Sequence, residues 1–191
     1  MRQRPGSSRG MTLVELMVVV AIIGVVAVLA TVGYARYTRT ARTAEATDMI
    51  SAIKGAQEAY FSHTGRYMDL SNGISPPNLY PKQTPDATTT AWGGACTWCK
   101  AEWSRLGVNA SAPVWFGYAT VADGDVCDPD CRGFVVSING TNLNWTSMNG
   151  SLIKKPWYLV TAYADTNGNG VFAKVVGTSF STILLTEKEG E

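Results

Sequence analysis

The strongest constraint on this chain is an apolar run near its N-terminus that holds a single charge. Residues 11–33 are apolar or small, and Glu15 is the one charged residue among these 23. As a helix with a rise of about 1.5 Å per residue, the run would be about 35 Å long, enough to cross a bilayer core of about 30 Å. An ionised carboxylate in hydrocarbon costs about 2.5–3.5 kcal/mol. Whatever offsets that cost should indicate what the run does.

Basic residues before the run indicate its orientation in a membrane. Arg2, Arg4 and Arg9 precede it, and the positive-inside rule then places the N-terminus in the cytoplasm. Three more arginines follow the run and weaken that signal. In a secretory signal the apolar stretch is shorter and the cleavage site follows it. The charges and the run alone therefore indicate a membrane helix that stays on the protein.

Composition argues against several classes of function. The chain has 16 Lys and Arg against 15 Asp and Glu. Three of the arginines lie before the apolar run, so the rest is near neutral and nucleic-acid binding is not indicated. The single histidine, His63, limits His-based catalysis and argues against a multi-His metal site. We therefore expect a protein that is not an enzyme, with about 150 residues forming one domain outside the membrane run.

A glycine stands directly before the apolar run, and a Thr-Leu pair and a glutamate follow it at short, fixed distances. This segment, R-G-M-T-L-V-E-L-M-V-V-V-A-I-I-G, covers residues 9–24. It resembles the prepilin signal of type IV pilins and the related pseudopilins. The resemblance implies a leader of residues 1–10, cut by prepilin peptidase between Gly10 and Met11, and N-methylation of Met11. Two positions depart from the family pattern, which usually has Phe in place of Met11 and often a helix-kinking Pro in place of Val32.

The resemblance makes Glu15 the glutamate that the family buries during assembly, and chemistry supplies a reason for it. Cleavage would leave a free α-amine on Met11, which is a cation at neutral pH. Glu15 of one subunit and Met11 of the next can then pair, each reducing the other's cost of lying in a dry helix bundle. The alternative is that Glu15 reaches back to water at the membrane edge and has no part in assembly.

The rest of the sequence predicts an α+β fold in which a long N-terminal helix packs on an antiparallel sheet of four or five strands, and the resemblance implies that this is the pilin fold. Residues 11–33 form the membrane or filament-core half of the helix. Apolar residues recur every three or four positions over residues 34–64, which predicts an amphipathic half, and Gly65 is a candidate C-cap. Residues 65–112 are the αβ loop and residues 113–191 the sheet. The expected buried helix face is Tyr34, Tyr37, Ala41, Ala44, Ile50, Ile53, Ala56 and Tyr60.

Short runs of β-branched and aromatic residues between Gly, Asn or Asp turns predict the strands. These runs span residues 113–121, 132–138, 156–164, 171–177 and 180–186. We expect them to lie in a single sheet and the C-terminal TEKEGE segment to be a solvated end.

Four cysteines form two close pairs, and three interpretations compete for them. On the far side of a membrane an even number of cysteines favours disulfides, and four cysteines allow three pairings between which the sequence does not choose. Two close pairs could instead supply the four thiolates of a zinc site. A redox-active C-x-x-C is the third interpretation. The cysteines are Cys96 and Cys99 in C-T-W-C, and Cys127 and Cys131 in C-D-P-D-C.

The segment D-T-N-G-N-G at residues 165–170 places side-chain oxygens at alternate positions. Asp165, Asn167 and Asn169 could therefore ligate Ca²⁺. One carboxylate among three ligands compensates the ion's charge poorly, and Asn-Gly between two strands is a strong hairpin signal. We expect a hairpin turn, with calcium as the alternative and no other cofactor. Some secretion pseudopilins bind calcium near their C-terminal strands, so the loop also bears on the class of the protein.

These features predict a structural subunit, a major or minor pilin of a type IV pilus. Its precursor would span the inner membrane once, with the head in the periplasm. After cleavage it would join an extracellular filament of itself and other pilins on the pilus assembly platform. Motility, adhesion and DNA uptake are outputs that the resemblance implies. The alternatives are a pseudopilin of a type II secretion system and a membrane-anchored zinc-binding module.

Overall fold

The structure is a computed structural model of the 191-residue chain. It describes residues 10–93, 97–123, 135–139, 141–144 and 156–188. The chain divides into two compact units, Met1–Thr38 and Arg39–Glu191, and each is described by itself.

Helix α1 comprises Leu13–Thr64, 52 residues. Gly65 follows the last helical residue, and its φ of 75° is the left-handed conformation that glycine adopts without a side-chain clash. The Gly65 N–H donates to the Phe61 carbonyl at 2.8 Å, which satisfies one of the last carbonyls of the helix. The C-cap prediction for Gly65 is thereby confirmed.

A four-stranded antiparallel sheet has the order β1-β4-β5-β6. Helix α2, Thr97–Leu106, precedes it in sequence, and strands β2 and β3 pair separately as a two-stranded sheet. The α+β fold class is confirmed. The expectation that residues 132–138 join the main sheet was wrong, because Val135–Ile138 pairs with β3 instead. The strands are β1 Gly117–Asp123, β2 Val135–Ile138, β3 Thr141–Asn144, β4 Trp157–Ala164, β5 Ala173–Thr178 and β6 Ser181–Glu187.

The core of the second unit lies between α1 and the sheet. Ile50 and Ile53 are fully buried against sheet residues such as Tyr118 and Val175. Gly177 of β5 makes room for the helix, because a Cβ there would lie 2.8 Å from Ile50 Cγ2. The strand thus needs a residue without a side chain where the helix approaches it.

A buried glutamine ties α1 to the segment that follows it. The Gln57 amide nitrogen donates to the Met68 carbonyl at 2.7 Å and to Thr120 Oγ1 at 3.1 Å, and its oxygen accepts from the Met68 N–H at 2.9 Å. Buried polar groups are stable only when they are paired, and these bonds pair a glutamine that is fully buried.

The expected buried face of α1 was wrong at its N-terminal end. Tyr34 and Tyr37 are 71% and 72% exposed, and Ala41 and Ala44 are also exposed. The buried side chains follow a neighbouring stripe with the same periodicity. A repeat of three or four residues identifies a helix, but the position of the sheet decides which stripe is covered. The buried stripe is Thr43, Ala46, Ile50, Ile53 and Gln57.

The αβ loop is more ordered in its hydrogen bonding than its sequence suggested. Besides containing α2, it pairs with β1 and with the segment just before β1. Tyr80 and Tyr118 exchange backbone hydrogen bonds of 2.8 and 2.7 Å, and Thr90 and Val114 exchange two of 2.9 Å. The loop thus covers an edge of β1 that would otherwise present unpaired backbone groups.

The C-terminal segment was expected to be solvated, but β6 continues to Glu187. The Glu187 carboxylate lies 3.0 Å from Lys174 Nζ, and its side chain is 12% exposed. The ion pair joins β5 and β6 within the sheet, so this part of the expected solvated end was wrong.

Candidate functional site: the start of helix α1

The first turn of α1 contains a reciprocal pair of hydrogen bonds between Thr12 and Glu15. Glu15 Oε2 accepts from the Thr12 N–H at 3.1 Å and from Thr12 Oγ1 at 2.9 Å. Thr12 Oγ1 accepts from the Glu15 N–H at 3.2 Å. This is a capping box, in which the residue before the helix and the third helical residue satisfy each other's backbone N–H groups.

The sequence analysis considered Glu15 alone and missed Thr12. The signal was available, because T-L-V-E before an apolar run is the capping-box pattern. The carboxylate that the resemblance assigns to assembly therefore already has a local partner within one chain. Its pairing with the amine of a neighbouring subunit stays a prediction.

Gly10 and Met11, the predicted cleavage residues, precede the first turn of the helix. Both have non-helical backbone and are exposed, and Met11 is 66% exposed. A peptide bond in this position is open to an enzyme without unwinding α1.

The apolar surface of α1 that follows is uncovered. Leu13, Leu29 and Val32 are 69–73% exposed. Among the described residues, α1 is the one helix whose length and composition suit a membrane span, and none of its most apolar 18-residue window is buried. Exposed apolar surface of this extent needs lipid or another protein surface to cover it.

Gly24 opens a groove on this apolar surface. The groove has a volume of about 410 Å³ and is lined by Ala21, Gly24, Val25, Val28 and Leu29. No atom lies within 4 Å of where a Gly24 Cβ would be. The helix continues through Val32, the position where the family often has proline.

Cys99 lies on α2 and is disulfide-bonded. Cys96, Cys127 and Cys131 lie outside the described residues, so the three possible pairings stay open. A sulfur in a disulfide is not a thiolate, which is incompatible with Cys99 as one of four zinc ligands. Across the described ranges no group of three or more His, Cys, Asp or Glu side chains is placed to hold a metal.

The loop at residues 165–170 lies in the connection between β4 and β5, which pair antiparallel from Ala164 and Ala173. The Asp165 carboxylate accepts three backbone N–H bonds, from Gly168 at 2.7 Å, Asn169 at 3.1 Å and Gly170 at 2.9 Å. The predicted hairpin connection is confirmed.

The two asparagines of this loop also accept backbone bonds. Asn167 Oδ1 accepts from the Asn169 N–H at 3.0 Å, and Asn169 Oδ1 accepts from the Val171 N–H at 2.7 Å. The side-chain oxygens proposed as calcium ligands thus organise the turn themselves. Each retains lone pairs, so calcium binding stays a prediction.

Comparison with known proteins identifies the segment around the capping box. Residues 6–31 match the family described as the prokaryotic N-terminal methylation motif, a class III signal peptide. No curated protein and no solved structure matches the chain. The matched segment contains Gly10, Met11, Thr12 and Glu15.

The motif and the fold agree with each other. The motif is typical of type IV pilins and pseudopilins, and a long N-terminal helix followed by a four-stranded antiparallel sheet is a pilin-like layout. The motif supports a type IV pilin-like or pseudopilin protein in general, and it is the motif of a structural subunit. The motif also implies processing by prepilin peptidase and assembly with other pilins.

Proposed function

We propose that the protein is a structural subunit of a type IV pilus that polymerises through α1. The observation that carries the proposal is the exposed apolar surface of α1, which begins at the capped Glu15 and lies within the methylation motif. Lipid can cover this surface in the stored precursor, and copies of the same helix can cover it in a filament.

The free energy of moving α1 from lipid to a filament indicates why Glu15 matters for assembly. Lipid tails are about as apolar as Val or Leu, so moving α1 from a bilayer to a helix bundle gains little hydrophobic free energy. Close packing and polar pairing must then favour the filament. The groove at Gly24 suits close packing, and a carboxylate next to a neighbour's α-amine suits polar pairing.

Maturation is part of the proposal. Prepilin peptidase cuts between Gly10 and Met11, and Met11 becomes the methylated N-terminus. The precursor spans the inner membrane with its head in the periplasm, and the assembled filament is extracellular. Mass spectrometry of the mature protein should find a methylated N-terminal Met11. A Gly10→Val variant should keep residues 1–10, and its normal cleavage would contradict the assignment.

The second candidate is a pseudopilin of a type II secretion system. The Asp165 loop between β4 and β5 is the reason to consider it, because Asp165, Asn167 and Asn169 supply side-chain oxygens at alternate positions of one turn, and such oxygens can ligate Ca²⁺. Deletion of the gene in its own host distinguishes a pilus subunit from a secretion pseudopilin. Loss of surface filaments, restored by the intact gene, supports the pilus, whereas loss of exoprotein secretion with filaments retained supports the pseudopilus.

A further inference from the structure

The sequence contains the N-x-Ser/Thr pattern four times, and this pattern is the acceptor motif for N-linked sugars. The side-chain amide of the asparagine receives the sugar, and the motif requires a hydroxyl two residues further on. Acceptor motifs lie on surface loops of exported proteins, so the fold decides which copy an enzyme can reach. The asparagines are Asn109, Asn139, Asn144 and Asn149, and the motifs of the last two lie partly or wholly outside the described residues.

The motif at Asn109 lies in an irregular segment between α2 and β1. Asn109 and Ser111 are both exposed, and neither side chain makes a hydrogen bond to another described residue. The segment is anchored at both ends, because Val108 and Val114 are buried. The amide and the hydroxyl that a transferase must recognise are therefore both accessible without unfolding of the head.

The motif at Asn139 is engaged by the fold. Its Nδ2, the atom that would receive a sugar, donates to the Thr186 carbonyl of β6 at 3.4 Å. Thr141, which supplies the hydroxyl of this motif, is the first residue of β3 and is paired with β2. Of the two motifs whose asparagine and hydroxyl residue are both described, the one at Asn109 is the accessible one.

A groove lies beside Asn109, between α1 and residues 109–114. Its volume is about 360 Å³, which is within the range of about 300–1,000 Å³ for small-molecule sites. Met49 and Ala52 line it with apolar surface, and Asp48 adds an exposed carboxylate. A sugar ring has an apolar face of C–H groups and hydroxyl groups at its edge, and a carboxylate accepts hydrogen bonds from hydroxyls. The groove thus suits a sugar attached to the neighbouring asparagine.

We propose that Asn109 is the acceptor of an N-linked glycan, whose first sugar lies in this groove. The donor is a sugar carried on a polyprenyl phosphate lipid, and the catalyst is a membrane-bound oligosaccharyltransferase. Asn109 Nδ2 forms a bond to the anomeric carbon of the sugar, and the bond from that carbon to the lipid phosphate breaks. The phosphate leaves with the bonding electrons, and a base of the transferase takes the amide proton.

Peptide mass spectrometry of the protein purified from membranes of its own host tests the acceptor. We expect a sugar mass on Asn109, lost in Asn109→Gln and Ser111→Ala and restored in Ser111→Thr. Thr141→Ala, which removes the hydroxyl of the Asn139 motif, is the matched control and should leave the sugar on Asn109 unchanged. An unmodified Asn109 in the wild type would overturn the proposal, and so would a sugar that Ser111→Ala retains.

The inference rests on the proposed function in one respect, because the head must lie in the periplasm, where the transferase acts. The same mass spectra show separately whether residues 1–10 have been removed. A protein that begins at Met11 and carries no sugar on Asn109 contradicts the glycan alone. A protein that keeps residues 1–10 contradicts the proposed function, whatever Asn109 carries.

The place of the sugar is tested by amide hydrogen exchange on the full-length protein in detergent. We expect slower exchange at residues 110–112 in the glycosylated wild type than in Asn109→Gln. Ala52→Phe fills the groove and should abolish that difference with the sugar still attached, whereas Ala59→Phe, at an exposed position of α1 outside the groove, should keep it. Equal exchange in the glycosylated wild type and Asn109→Gln would overturn the placement of the sugar in the groove.

Discussion

The guanidinium carbon of Arg42 lies 3.7 Å from the ring centroid of Trp115, and Arg42 Nη1 donates to the Thr166 carbonyl at 2.7 Å. One side chain of α1 thus contacts both the segment before β1 and the loop after β4. Its stem and planar head cover an aromatic ring, as arginine often does.

Arg42→Ala should destabilise the head, because it removes the cation–π contact and the hydrogen bond together. We expect a loss of about 1–3 kcal/mol in the free energy of unfolding, measured with urea on the full-length chain in detergent. The control is Arg105→Ala, which breaks an exposed ion pair with Glu102 and should cost less than about 1 kcal/mol. Equal effects of the two variants would refute the role given to Arg42.

Two glycines should respond in opposite directions to alanine. A Cβ at Gly177 would lie 2.8 Å from Ile50 Cγ2 and 3.1 Å from Leu184 Cδ2, whereas no atom lies within 4 Å of one at Gly55. Gly177→Ala should cost about 1–3 kcal/mol through overpacking. Gly55→Ala should stabilise by about 0.5–1 kcal/mol, because alanine is the better helix former. The midpoints of thermal unfolding provide the comparison, and a Gly177→Ala variant as stable as wild type would contradict the packing.

The carboxylate of Glu45 should make stability depend on pH in an unusual direction. Burial raises its pKa above 4.5, although hydrogen bonds from the backbone of Trp115 and the hydroxyl of Tyr118 oppose the shift. Since the folded state holds this proton more tightly than the unfolded state, the contribution of Glu45 is most favourable below pH 4.5 and is lost as pH rises through the folded pKa.

The Glu45→Gln variant isolates this effect. Glutamine keeps an oxygen that can accept both bonds and removes the cost of burying a charge. We expect its free energy of unfolding to rise relative to wild type as pH increases above 4.5. Asp48→Asn, which removes an exposed carboxylate from the same helix, is the control. If the difference between wild type and Glu45→Gln is constant with pH, the burial of this charge is not reflected in stability.

Calcium should raise the unfolding temperature if the Asp165 loop binds it. A ligand at 100 times its dissociation constant stabilises the folded state by about 2.7 kcal/mol. Asp165→Ala also removes three backbone hydrogen bonds, so the readout is the shift caused by Ca²⁺ within each variant. Asp48→Asn should keep the shift and Asp165→Ala should lose it. If Ca²⁺ does not raise the unfolding temperature of the wild type, the loop is a turn that binds no calcium, and the pseudopilin alternative is weakened.

The sequence predicted those elements whose pattern is local. The apolar run specified α1, and the β-branched and aromatic residues of Trp157–Ala164 specified β4, in which every residue is buried. Strand β3, Thr141–Asn144, has the sequence T-N-L-N and little intrinsic strand preference. It was missed because its partner β2, and not its own composition, makes it a strand.

The candidate site shows the same division between local and tertiary information. Glu15 could be singled out because one charge in an apolar helix needs a reason, and Thr12 could have been found from the spacing. The exposure of Tyr34 could not be predicted, since the periodicity of the helix continues past the last turn that the sheet covers. The contact between Arg42 and Trp115 could not be predicted for a similar reason, because the two residues lie 73 positions apart in the sequence.

The most direct test of the account is the yield of assembled filaments from Glu15→Ala compared with wild type, at equal levels of precursor in the same host. We predict a loss of about tenfold or more, because breaking a buried charge pair is strongly unfavourable. Glu102→Ala, which removes a half-buried glutamate from α2, should assemble normally. Filament yields from Glu15→Ala equal to those of wild type would contradict the claim that this carboxylate directs assembly.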